Sequence, residues 1–113
     1  MTITDGTYKV GLDKEGNLSL RTTLYRDRGY WVSDDTGVTI QGEPDAKAIA
    51  DALSLMDIEV GETVGVWTSG ETTYVDRSYH IHHKDTAWRL AELFDQIAIW
   101  DCANSKALDI RYA

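Results

Sequence analysis

The stretch TVGVWTSGETTYVDRSYHIHH, residues 63–83, decides the fold. Val64, Val66 and Thr68 alternate with Gly65 and Trp67, the period-2 pattern of a half-buried strand. Ser69-Gly70 supplies a turn, after which Thr73, Val75, Tyr79 and Ile81 recur on one face, interrupted only by Arg77. Two alternating runs joined by a glycine turn predict an antiparallel hairpin. Its second face then carries Trp67, Tyr74, Asp76, Ser78, His80 and His82.

The same alternation extends toward the N-terminus. Tyr8, Val10 and Leu12 lie on one face of a first strand, and Asp13-Lys14-Glu15-Gly16-Asn17 is a turn. Leu18, Leu20, Thr22 and Leu24 return as a second strand, and Tyr30-Trp31-Val32 and Val38-Thr39-Ile40 flank Asp34-Asp35-Thr36-Gly37 as another hairpin. Gly42-Glu43-Pro44-Asp45 opens a helix along which Ile49, Ala52, Leu53 and Met56 recur at helical spacing. Beyond residue 83, Asp85 or Thr86 caps a second helix expected to run to about Cys102, and Leu108, Ile110 and Tyr112 alternate as a last strand. The predicted order is ββββ–α–ββ–α–β: an α+β chain with a mostly antiparallel sheet and two helices packed on one face. The other sheet face is left for solvent or a partner.

The chain has 113 residues, without internal repeats or linkers, and reads as a single domain over 1–113. No apolar run reaches the ~18 residues that span a bilayer. The N-terminus lacks the basic and apolar regions of a signal peptide, and the single Cys102 excludes an intramolecular disulfide framework. A cytoplasmic protein is the expectation. The formal charge is −8, which repels anionic membranes and argues against direct nucleic-acid binding. Residues 43–71 hold most of it, seven acidic side chains against Lys47 alone. That segment is either a solvated face or an acidic patch that docks on a basic partner, with Asp51, Asp57, Glu59 and Glu62 at its centre.

The open sheet face is predicted to show Lys9, Arg21, Tyr25, Trp31, Trp67, Tyr74, Asp76, Ser78, His80 and His82. Its aromatics either pair across strands or contact a partner, and Trp31, Trp67 and Tyr74 are the candidate contacts. His80 and His82 project to one face with Asp76 four residues earlier, an inventory that could hold a metal ion. No metalloprotease, nucleophile-elbow or phosphate-loop motif accompanies them. Along the second predicted helix, Leu90, Phe94, Ile97 and Ala98 form an apolar face, while Trp88 and Ile99, about three turns apart, form another that could be core or a homodimer contact.

These features point to an acidic protein-binding module without a cofactor. One expected form is a small inhibitor that occupies the basic, nucleic-acid-binding surface of a partner, as phage- or plasmid-encoded anti-CRISPR proteins do by class analogy. The alternative is a small metal-dependent enzyme or metal-binding protein built on Asp76, His80 and His82.

Overall fold

The computed structural model describes residues 4–110. It holds β1 (Gly6–Leu12), β2 (Leu18–Thr23), β3 (Tyr30–Ser33), β4 (Val38–Gln41), α1 (Ala46–Leu55), β5 (Thr63–Ser69), β6 (Thr72–Ile81), α2 (Lys84–Leu93), β7 (Ala98–Asp101) and β8 (Lys106–Asp109). The chain is α+β; among the described residues there are eight strands and two helices, and every strand pairing is antiparallel. Strand order is β2-β1-β5-β6-β3-β7-β8, with β4 also pairing β6. The expected order of elements holds, with one further strand, β7, ahead of the last. Contacts divide the chain into two compact units: unit 1 comprises residues 4–24 and 36–77, and unit 2 residues 25–35 and 78–110.

In unit 1 the first half of β6 pairs with β5 and β4, and β1 joins β5 to β2. The inward residues are those the alternation picks out. Tyr8, Val10, Val64, Val66 and Val75 meet Ile49, Leu53, Met56 and Ile58 from α1 and the turn after it. Asp45 caps α1, its carboxylate accepting the Ala48 N–H at 2.8 Å. The helix ends in a Schellman motif: Asp57 N–H donates to Ser54 O, Ile58 N–H donates to Leu53 O, and Asp57 takes a left-handed φ of 59°. Arg77, the residue that interrupts the inward alternation of β6, serves this helix end. Its guanidinium donates to Met56 O at 2.8 Å, to Asp57 O at 3.2 Å and to Glu62 Oε1 at 3.1 Å. Carbonyls that the last helical turn leaves without partners are thereby satisfied.

In unit 2 the second half of β6 pairs with β3, which pairs with β7, which pairs with β8. Val32, Ile99, Ala87 and Ala91 are fully buried, with Tyr30, Ile81, Trp88, Leu90 and Phe94 packed around them. The expected helix to Cys102 is corrected here: α2 stops at Leu93. Asp95 N–H donates to Glu92 O, Gln96 N–H donates to Ala91 O, and Asp95 sits at φ 55°, a second Schellman motif with aspartate where glycine is usual. The Gln96 amide then fastens to Asp34 O at 3.1 Å, and residues 98–101 extend as a strand. Three consequences follow for the predicted faces. Leu93 and Ile97 are exposed rather than core, Phe94 is half-buried at the helix end, and Ile99 is buried on β7. Trp88 and Ile99 therefore share no helix face, and the homodimer surface built on them does not exist in that form.

Candidate functional site

The open face of unit 2 is assembled from three neighbouring strands. Trp31 on β3 stands directly opposite His80 on β6 and directly opposite Trp100 on β7. Residues in register across an antiparallel pair project to one face, so His80, Trp31 and Trp100 form a row across the sheet. The Trp31 and His80 ring centroids lie 5.2 Å apart edge-to-face, and His82 meets His80 at 5.1 Å and 90°. Trp100 is 45% exposed, an expensive placement for an indole in water.

The loop between β2 and β3 closes on one end of this row. Arg26 places its guanidinium 5.9 Å from the Trp31 ring centroid. Arg28 O bonds His80 Nε2 at 2.9 Å, and Gly29 O accepts the Cys102 N–H at 3.0 Å. Gly29 is required twice over. Its φ is 83°, and a Cβ there would fall 2.6 Å from His80 Nε2. The loop is thus pinned from β6 and from the residue that follows β7, with Arg26 beside the Trp31 ring.

Unit 1 offers a second pair of aromatics. Trp67 and Tyr74, directly opposite in the β5–β6 register, stack at 4.3 Å and 11°. Trp67 is 45% exposed and Tyr74 is half-buried. The predicted partner-binding aromatics thus fall on open strand faces, Trp31 in one unit and Trp67 and Tyr74 in the other. Trp100 was missed, because residues 98–101 read as the end of a helix. The signal that could have found it is the run Ile97-Ala98-Ile99-Trp100, richer in strand formers than the turns of α2 before it.

The acidic residues divide by role. Asp51 pairs with Lys47 at 2.9 Å on the solvent side of α1, and Asp57 and Glu59 are exposed. Leu55, one turn beyond Asp51, is 80% exposed, and Val60 is 58% exposed. Glu62 differs from the other three. One carboxylate oxygen accepts from Arg77 Nε, and the other accepts the Glu59 N–H at 2.7 Å, so this side chain belongs to the framework that ends α1.

Among the described residues, no group of three or more His, Cys, Asp or Glu side chains is placed to hold a metal ion. His80 is engaged otherwise. A ring nitrogen that bonds a carbonyl must carry the proton, so Nε2 donates to Arg28 O and only Nδ1 remains as a lone pair on the neutral ring. Asp76 stands opposite Gly65 in the β5–β6 register of unit 1. Cys102 is buried behind β7; desolvation, then the neighbouring Asp101 charge, push its thiol upward, which suppresses the thiolate. No described helix is long and apolar enough to cross a membrane. No protein-family model, curated protein or solved structure matches the chain.

Proposed function

We propose that the protein is a partner-binding module that docks on a basic protein surface through the segment around Asp51, Asp57 and Glu59. The observation that carries this reading is the company those carboxylates keep. Leu55 and Val60 stand exposed among them, and unit 1 carries eleven acidic side chains against five basic ones. Carboxylates surrounding exposed aliphatic side chains match a surface on which cations surround an apolar recess. The charges speed the encounter, and the aliphatic groups gain from losing water. A small inhibitor that occupies the nucleic-acid-binding surface of an enzyme, in the manner of anti-CRISPR proteins, is the form of this function that the charge fits best.

The test is a pull-down in which the wild-type chain is compared with a triple variant, Asp51→Lys, Asp57→Lys and Glu59→Lys. Glu62 is left in place because its carboxylate holds Arg77. The reading expects a captured protein of basic surface that salt elutes and that the triple variant loses. A partner retained equally by both chains from low to high salt overturns it.

A further inference from the structure

We propose that the open face of unit 2 is a second binding surface, one that takes single-stranded nucleic acid, with a base stacked on Trp100 and the backbone drawn to Arg26, the cation beside Trp31. The net charge of −8 hides a local reversal. Residues 25–31 and 78–84 carry Arg26, Arg28 and Lys84 with three histidines, against Asp27 alone. The fold brings these two stretches together in register: Trp31 opposite His80, Arg26 beside Trp31, and the Arg28 backbone bonded to His80. The rest of the chain sums to −10, so an anionic ligand is repelled less at this loop, with Arg26 beside Trp31, than the net charge implies.

The ring arrangement selects among anions. His80, Trp31 and Trp100 span three adjacent strands, roughly 10 Å at the usual strand spacing. Within the row His80 meets Trp31 edge-on and Arg26 lies over the Trp31 ring, so Trp100, 45% exposed, is the indole on which a flat ligand stacks, with Trp31 and its cation beside it. Unpaired nucleotides have both a flat π-face and a phosphate, whereas a duplex keeps its base faces covered. Aromatic platforms flanked by cations are the general means by which proteins hold single strands without reading sequence. The two proposals rest on different residues, so they are separable by mutation.

Fluorescence anisotropy tests this with labelled oligo-dT and oligo-rU of about twelve nucleotides, within the span such platforms cover. Saturable binding at low salt is expected, weakening as salt rises with a slope of about −0.7 for each phosphate contact. Unlabelled single strand should compete and duplex of the same length should not. Trp100→Ala, at a side chain already half in water, should weaken binding roughly 5- to 150-fold, the loss of one stacked base. Arg26→Ala should flatten the salt slope by about 0.7. The Asp51, Asp57, Glu59 triple variant should bind the oligonucleotides at least as well as wild type, whatever becomes of its protein partner. The proposal is overturned if no saturable binding occurs up to about 100 μM protein at low salt, the weak end of non-specific nucleic-acid affinity. It is equally overturned if duplex competes as well as single strand, or if a folded Trp100→Ala chain binds as wild type does, including the case in which that substitution releases a captured protein instead.

Discussion

The two units use one plan with opposite allocations of bulk. Each lays a ten-residue helix on antiparallel strands and ends it in a Schellman motif with aspartate in the left-handed position, Asp57 in one and Asp95 in the other. Unit 1 sends its large side chains inward: α1 buries Ile49 and Leu53 over valines from β1, β5 and β6. In unit 2 the fully buried helix residues are Ala87 and Ala91. Alanine contributes little apolar area, so α2 can approach its strands closely, and larger groups such as Trp88, Leu90 and Phe94 pack around its edges half-exposed. The allocation of charge differs as well, −6 in unit 1 against −3 in unit 2 over the described residues. Unit 1 is a conventional core bearing an acidic surface, and unit 2 is a core of smaller buried helix residues with Trp31 and Trp100 on its open face.

Substitutions in the two cores should expose that difference. The largest expected effect is Leu53→Ala, which empties the centre of unit 1 and should cost about 2–5 kcal/mol in urea unfolding. A loss below about 1 kcal/mol would mean that unit 1 is as loosely filled as unit 2. The converse change, Ala91→Leu, forces a large side chain under α2 and should cost about 1–3 kcal/mol by overpacking. If it stabilises the protein instead, a void lies beneath α2 and the close approach inferred from the alanines is wrong.

The smallest effect concerns the turn that joins β7 to β8. Asn104 donates its side-chain amide to Asp101 at 2.8 Å, and this bond, ahead of the backbone N–H groups of Asn104 and Ala103, holds the carboxyl below its usual range. A depressed folded pKa means that ionised Asp101 contributes in full above the unfolded value of about 3.9, and that the contribution is lost as pH falls from there through the lower folded value. Asp101→Asn should therefore lose less stability than wild type between neutral pH and about pH 3. Parallel acid limbs would show that the turn of unit 2 contributes nothing through its charge.

Most of the architecture was legible in the residues because it rests on local periodicity. Val64, Val66, Thr73 and Val75 alternate, Ile49, Ala52, Leu53 and Met56 recur at helical spacing, and both patterns survive folding intact. Helix ends were harder to see. The first helix ends at no glycine: Asp57 turns the chain, four residues ahead of Gly61. Asp95 does the same to α2 with no glycine nearby to announce it. Aspartate tolerates the left-handed region well enough to end a helix but is also common inside one, so only the observed hydrogen bonds distinguish the two cases.

What the sequence determined by itself was therefore the kind of element at most positions, the inward and outward faces of β5 and of most of β6, and the concentration of carboxylates over residues 43–71. Each is a property of neighbours along the chain, set by periods of 2 and 3.6 and by a count of charges. Tertiary structure alone decided that Trp100 stands on a strand beside Trp31, that Glu62 is bound to Arg77 while Asp51, Asp57 and Glu59 face water, and that the backbone carbonyl of Arg28 bonds His80. These pairings join segments some fifteen to seventy residues apart, and no local pattern encodes which distant strand supplies the neighbour.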